Sequence, residues 1–447
     1  METEAVNRPV DLTALTLTRA PVDRLLPHLG LLRHHLGALG CSFEIVVVGA
    51  GRTFVEPDRL AELGVRYATV EPFKFGRALK QGLRMARGRH VLTMDVDFSS
   101  HVGTLERLWR ERETAAVVIA SRFAAGARST VPAVRKLAAR VLNRLTARLL
   151  SVPVRDLTCD YRLIRRDVFD ESPPESDGFD VLVEMVVRAY AAGRRVVEVP
   201  TTYVPSGGES RRQPLAVAWS LIRTTRRWWR LRNSIDSADY DERAFFSLIP
   251  PQRWWQRHRH RVVMELAHGK GLTLDVGCGS SMILSSLGHV VGVDKSMPKL
   301  RFAAKWGLPL ARASADRLPF ADGSFDCVVC SQVIEHMPIE EQPLGELVRV
   351  LKPGATLVVG TPDYATWSWR IIEPLYGMLS PGGYKDEHIT HYTRASLVRV
   401  VTLLGCRVEA TRCTLGELNL MATKTATTAK PLDATALREA GVTRFGP

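Results

Sequence analysis

Residues 272–281 read Leu-Thr-Leu-Asp-Val-Gly-Cys-Gly-Ser-Ser. An apolar strand over 272–276 carries Asp275 near its end and runs into a glycine turn, after which a helix should follow. Gly277 and Gly279 let the backbone approach a ligand closely and adopt dihedral angles that side chains forbid. A second apolar strand over 290–293 leads to Asp294, nineteen residues after Asp275. An acid at the end of a second strand can accept hydrogen bonds from both hydroxyls of a ribose. The spacing therefore predicts a parallel α/β sheet with a nucleoside at its edge.

The same alternation extends in both directions. Strands are expected over 325–330 and 355–360 after the turn. Ahead of it they are expected over 43–48, 65–69, 90–94, 116–120 and 195–199, with amphipathic stretches such as 75–87 between them. Strands alternating with helices in this way make mostly parallel α/β sheets. The periodicity breaks over 233–251, where acids, serines and Pro250-Pro251 gather. The expectation is two Rossmann-like α/β domains: 1–235, ending in a basic amphipathic helix, and 254–421, with a linker over 236–253. Residues 422–447 are rich in Thr, Ala and Lys and are expected to form a flexible tail. No internal repeat is present.

Composition agrees with this. The chain has 447 residues, enough for two or three domains at about 150 residues each. It is 45% hydrophobic and 24% charged, which excludes wholesale disorder. No apolar run approaches the roughly 18 residues that span a bilayer. Glu2, Glu4 and Asp11 replace the basic-then-apolar pattern of a secretory signal. Seven scattered cysteines suit a reducing compartment, so a cytoplasmic protein is expected. Cys327 and Cys330 are spaced like metal ligands, but they lie within one apolar strand without a second pair and read as core. The net charge of +14, most of it from Arg, favours anionic partners.

Further motifs follow the glycine turn: Ala315-Asp316-Arg317-Leu318-Pro319-Phe320, then Asp322-Gly323-Ser324-Phe325-Asp326, Ser331-Gln332-Val333-Ile334-Glu335-His336, and Leu351-Lys352-Pro353-Gly354. In this order, from near Trp254 to near Leu420, the chain resembles class I methyltransferases that use S-adenosylmethionine, in particular those that methylate small molecules. The resemblance implies that Asp275, Gly277, Cys278 and Gly279 face the methionine end, Asp294 the ribose and Asp316 the adenine. Lys295 and Gln332 join the cofactor-facing set. Ser281 stands where the family often has a third glycine. Methyl transfer needs an oriented nucleophile and sometimes a base. His336, just past the fourth strand, is the candidate base, with His388 and His391 as rivals.

In the first half, Asp95 and Asp97 follow a buried strand. Two carboxylates one residue apart can grip a divalent cation and, through it, a diphosphate. Gly76 to Gly82, Ser121-Arg122, Arg135, Asn143, Asp156 to Leu163, Gly178-Phe179-Asp180 and Glu184 complete a series. Over about 40–232 it resembles family 2 glycosyltransferases of the GT-A fold, most closely the dolichyl- or polyprenyl-phosphate sugar synthases. The resemblance implies that Asp95 and Asp97 bind Mg²⁺ or Mn²⁺ and the nucleotide-sugar donor. It also implies that Arg122, Arg135 and Arg162 hold phosphates of the donor or of a polyprenyl-phosphate or glycoconjugate acceptor. Asp97 and Arg162 are then the candidate catalytic residues of this half. Three features depart from the family: the start reads LTALTLTRAPVDR, Gly49-Ala50-Gly51 stands where acids usually read the nucleobase, and Ser99 replaces a Gln.

Residues 211–232 contain seven Arg and no acid, with Trp219, Trp228 and Trp229 interleaved, and 253–261 form a second basic aromatic cluster. Trp and Arg on an amphipathic helix suit the inner, anionic face of a membrane. Nucleic acid is not expected, because no recognition motif accompanies the charge. The combined expectation is a bifunctional glycosyltransferase and methyltransferase. The alternative is a methyltransferase whose first domain is a non-catalytic docking module.

Overall fold

The structure, a computed structural model, describes residues 10–19, 22–51, 57–94, 102–204, 224–341, 343–379, 388–425 and 432–444. They fall into two compact units, which divide after residue 232, with 191–193 belonging to the second.

The first unit contains β1 (Val10–Thr18), β2 (Phe43–Ala50), β3 (Val65–Val70), β4 (Gly88–Met94), β5 (Val117–Ser121), β6 (Arg128–Ser129), β7 (Arg162–Arg165), β8 (Val196–Pro200) and β9 (Thr202–Tyr203). Seven of these form one sheet in the order β3-β2-β1-β4-β7-β5-β8. All neighbours run parallel except β7, which is antiparallel to β4 and β5. Val46, Val47 and Val48 are all fully buried, as a strand covered on both faces requires.

β1 is absent from the expected strands because threonine interrupts its apolar pattern. It is nonetheless central, and Thr13 shows why. Its hydroxyl donates to Glu44 Oε1 at 2.7 Å and accepts from the Gly88 amide at 2.8 Å. A satisfied hydroxyl can be buried at little cost.

The second unit contains β10 (Thr273–Val276), β11 (Val290–Asp294), β12 (Leu310–Arg312), β13 (Phe325–Ser331), β14 (Leu351–Pro362), β15 (Thr390–His391), β16 (Cys406–Thr414), β17 (Glu417–Lys424) and β18 (Thr443–Arg444). Its sheet runs β12-β11-β10-β13-β14-β17-β16. The first five strands are parallel, and β17 is antiparallel to both of its neighbours. The strand order reverses between β10 and β13. In open α/β sheets that reversal opens a crevice at the carboxyl ends of the strands, where ligands bind. Cys327 and Cys330 are fully buried in β13, where they pack as core.

Three sequence expectations are corrected. The stretch 236–253 holds the helix Tyr240–Phe245 and the start of the helix Pro250–Ala267. Ala238, Tyr240 and Ala244 are buried there, so it is part of the second unit rather than a free linker. Its acids look solvated in sequence because their partners are distant: Asp241 meets Ser280, for instance. The tail beginning at 422 instead starts inside β17 and continues, beyond 426–431, which lie outside the described residues, into the helix Ala434–Glu439 and β18. Ala422, Leu437, Ala440 and Val442 are buried.

The third correction concerns the basic belt. Residues 205–223 lie outside the described residues, and 224–232 are helical. Trp228 is buried in the core of its own unit beneath the guanidinium groups of Arg188 and Arg227, each 4.9 Å from its ring. Arg232 is fully buried and donates to the carbonyls of Leu150 and Ser151. Trp228 and Arg232 therefore face inward, whereas Arg226, Arg227 and Arg230 are exposed. The apolar surface lies elsewhere, on the helix Ala133–Leu149. Val134, Leu137, Val141, Leu145 and Leu149 are 49–83% exposed there, beside exposed Arg135, Arg140, Arg144 and Arg148. No helix among the described residues is long and apolar enough to cross a membrane.

Candidate functional site

A cleft of about 430 Å³ opens at the carboxyl ends of β10, β11 and β13, where the strand order reverses. Gly277 lines it, and Gly277 and Gly279 turn the chain there with φ of 68° and 53°. A Cβ on Gly277 would lie 2.2 Å from Val333 Cγ2, so the turn requires glycine on both counts. The Gly279 amide donates to Asp294 Oδ2 at 2.9 Å, and the Ser296 amide donates to Asp294 Oδ1 at 2.7 Å. Each carboxylate oxygen can accept more than one bond, so Asp294 can still receive a hydroxyl pair from the cleft. Ser281 has an ordinary φ of −74° and caps the helix Met282–Ser286 by accepting the Ile283 amide. The departure from glycine at 281 is therefore harmless.

Three of the expected cofactor-facing side chains carry buried polar atoms without a hydrogen-bond partner: Asp275 Oδ2, Asp316 Oδ1 and Gln332 Nε2. Gln332 is also held at a φ of 60°, which is rare without glycine. Unsatisfied buried groups are uncommon in folded proteins and mark places where a ligand belongs. Lys295 is exposed at the rim of the cleft. Cys278 lines the cleft but is only 1% exposed, and its burial pushes the thiol well above its ordinary range. It therefore acts as a packing residue.

Asp241, from the stretch expected to be a linker, completes the wall. It accepts from the amide and hydroxyl of Ser280 at 3.1 Å and lies 3.6 Å from Lys299 Nζ. Burial opposes its ionisation, but Lys299 and the Ser280 donors hold its carboxyl below the usual range. Asp275, Asp294 and Asp241 thus converge on one turn.

His336 lines the far end of the cleft with Met337 and Ile389. Its ring centroid is 4.9 Å from that of His388. His388 is anchored through Nδ1, 2.9 Å from Glu373 Oε1 and 2.8 Å from the Tyr364 hydroxyl. His391 stacks on Tyr364 at 3.5 Å. The three rival histidines therefore share one aromatic corner, and His336 is the one that lines the cleft.

In the first unit, Asp95 and Asp97 lie outside the described residues, just past β4. Two of the expected phosphate-binding arginines are engaged in the fold. Arg122 donates through Nε and NH2 to the fully buried Asp156 at 2.8 and 2.7 Å. Burial opposes ionisation of Asp156, but that fork holds its carboxyl below the usual range. Arg162 is fully buried and donates to the carbonyls of Cys159, Leu182 and Leu157 at 2.5–2.6 Å. Burial lowers its guanidinium to about 10, which leaves it charged at neutral pH. The expectation that Arg162 is catalytic and binds phosphate is corrected on this ground: its guanidinium braces the 156–162 loop. The bidentate pair with Asp156 likewise fixes Arg122. Arg135 is exposed on the helix Ala133–Leu149. A carboxylate does stand by Gly49-Ala50-Gly51, because Glu71 Oε1 would lie 2.5 Å from a Cβ on Gly51.

Comparison with known proteins agrees with both halves. Residues 36–172 match the family described as Glycosyl transferase family 2, and 274–359 match the one described as Methyltransferase domain. A demethylmenaquinone methyltransferase of Lactiplantibacillus plantarum is 30% identical over 193 residues, covering 37% of this chain and 80% of that protein. An undecaprenyl-phosphate mannosyltransferase of Micrococcus luteus is 31% identical over 185 residues, covering 39% of this chain and 73% of that protein. The chain belongs to both families: a family 2 glycosyltransferase unit is followed by a methyltransferase unit. Three other relatives are spanned over 30%, 65% and 49% of their own length. Among solved structures, a glucosyl-3-phosphoglycerate synthase from Mycobacterium tuberculosis is 16% identical with a TM-score of 0.38, covering 49% of this chain and 80% of that one.

Sequence reasoning missed Asp241, Lys299, Glu335 and Glu373 at the methyltransferase site. Only Glu335 left a trace in sequence, as the neighbour of His336. The others reach the site from elements whose packing alone places them.

Asp275 makes a prediction about pH. Burial, then the charges of Asp294 and Asp241, push its carboxyl up to about 8, against roughly 4 in an unfolded chain. Between those values the folded protein retains a proton that the unfolded chain has lost. Stability of the ligand-free protein should therefore fall as pH rises through that window, by at most about 1.4 kcal/mol per pH unit from this group. Denaturant unfolding across the window should show a flatter slope for Asp275→Asn. An unchanged slope would mean that Asp275 is not held protonated.

Proposed function

We propose that the protein is a bifunctional transferase. In this reading the second unit methylates a small-molecule or glycoconjugate substrate with S-adenosylmethionine. The first unit transfers a sugar from a nucleotide-sugar to a polyprenyl-phosphate or related acceptor. The observation that carries the methyl-transfer half is that Asp275, Asp316 and Gln332, three residues of the expected cofactor set, each keep a buried polar atom without a hydrogen-bond partner, and that Gln332 lines the cleft. S-adenosylmethionine, when bound, supplies a methyl group activated by a sulfonium. Asp294 would hold the ribose hydroxyls and Asp316 the adenine, while Asp275 and the amides of 277–279 would face the methionine end. Lys295 and Gln332 would close the cleft. His336, which lines the cleft, would take a proton from the acceptor.

For the glycosyl half, Asp95 and Asp97 would grip Mg²⁺ or Mn²⁺ and the donor diphosphate. Glu71 would supply the carboxylate that 49–51 lack, and Arg135, exposed on the helix Ala133–Leu149, would contact phosphate. The closed pairings of Arg122 and Arg162 favour a second reading, in which this unit docks the methyltransferase without catalysing a transfer. Residence on the cytoplasmic face of a membrane fits either reading. The helix Ala133–Leu149 would then be the contact, with five exposed apolar side chains beside exposed arginines.

Three measurements test these readings. In calorimetry, wild type should bind S-adenosylmethionine, and Asp294→Ala should bind it more weakly by about 1–3 kcal/mol, the value of the lost hydrogen bonds. No affinity in wild type would sink the assignment. Nucleoside diphosphate binding should require a divalent cation and vanish in the Asp95→Ala, Asp97→Ala double variant. Binding indifferent to metal would refute the metal site, and binding without turnover of any sugar donor would favour the docking reading. In flotation assays the protein should bind anionic vesicles at low salt and leave them at high salt. Leu137→Asp with Leu145→Asp should abolish that binding, and equal binding to neutral vesicles would count against the contact.

A further inference from the structure

Beyond the donor cleft, the ends of β13, β14 and β17 carry polar atoms that the methyl-donor reading does not use. Glu335 is fully buried, and neither of its carboxylate oxygens makes a hydrogen bond of good geometry, the Thr361 hydroxyl being the side chain beside it that favours the ionised form. A buried carboxylate in that state is costly unless a proton or a cation neutralises it. A Glu335 oxygen and one nitrogen each of His336 and His388 lie within 4.8 Å of one another. His388 is oriented through Nδ1 by the carboxylate of Glu373, itself close to the Tyr364 hydroxyl. A carboxylate behind an imidazole is the arrangement that fixes the tautomer and ring plane of metal-ligating histidines.

We propose that Glu335, His336 and His388 form a divalent-cation site at the acceptor end of the cleft. Two imidazoles and one carboxylate suit Zn²⁺ or a first-row neighbour, and three protein ligands leave a position open. Donors at ordinary Zn–N and Zn–O distances stand about 3.4 Å apart. The three groups therefore need to close by little more than an ångström, within the range of side-chain rotation. Because His336 also lines the cleft, an open position on the cation would take an oxygen or nitrogen of the molecule to be methylated. That last step rests on the methyl-transfer reading of the cleft, whereas cation binding does not. With a cation present, His336 is a ligand, and the acceptor's proton leaves by another route.

The test uses the full chain, stripped with a chelator and titrated with Co²⁺. Low-coordinate cobalt held by imidazole and carboxylate absorbs visible light far more strongly than the octahedral all-oxygen cobalt expected at Asp95 and Asp97. One equivalent should give the strong band, and the Asp95→Ala, Asp97→Ala variant should keep it. Glu335→Gln and His388→Ala should lose it. Glu373→Gln, which alters a side chain that is 24% exposed and removes no ligand, should weaken cobalt binding by roughly 10–100-fold. If the buried variants fail to fold, Glu373→Gln still decides. No strong band in wild type, or a band and affinity unchanged in Glu373→Gln, overturns the site. A strong band without S-adenosylmethionine affinity keeps the cation site and removes the methyl-donor reading. The converse removes the cation site alone.

Discussion

The second unit is organised around one hydrogen bond, from the Gly279 amide to the carboxylate of Asp294. It ties the turn after β10 to the end of β11 and holds the glycines in the left-handed conformation that opens the cleft. The same bond brings Asp294 beside Asp275, and Asp241 arrives from a different helix. Three carboxylates in one low-dielectric pocket repel one another. Burial first, and then that repulsion, raises the proton affinity of Asp275, the deepest of them, and Lys299 stands against Asp241. Such a pocket favours a ligand that brings positive charge and hydroxyl donors.

The first unit places its charge differently. The segment 156–162 is irregular backbone inside the fold, so its amides and carbonyls need partners. Asp156 accepts from the Arg122 and Cys159 amides, and Arg162 serves three carbonyls at once. A guanidinium with five donors is suited to bracing such a loop. The motif therefore builds the frame of the unit. Amphipathicity misleads in a similar way. Trp228 and Arg232 look interfacial in sequence, yet one fills the core under two guanidinium groups and the other caps carbonyls.

The sheet of the second unit depends on its last residues. β17 inserts antiparallel between β14 and β16, with Leu418, Leu420 and Ala422 buried. Glu417, at the start of that strand, receives both Nε and NH2 of Arg259. The basic cluster on the helix Pro250–Ala267 is thereby partly neutralised within its own unit.

The sequence by itself determined the α/β class, the parallel strands, the glycine turn and the acid at the end of β11. These are local signals: apolar runs of strand length, and backbone dihedrals that only glycine adopts freely. It also located His336 at the cleft. It did not reveal β1, β7, β16 or β17. Threonine broke the apolar pattern of β1, β7 is only four residues long, β16 is largely exposed with an irregular alternation, and β17 buries the polar Glu417 and Asn419 among its apolar residues. Only the tertiary structure decided which charges meet. It joined Asp241 to the Ser280 turn, closed Arg122 on Asp156, buried Arg162 and gathered Glu335, His336 and His388. The physical reason is that an ion pair or a buried polar cluster is defined by distances between elements far apart in the chain. Periodicity and composition carry no information about those distances.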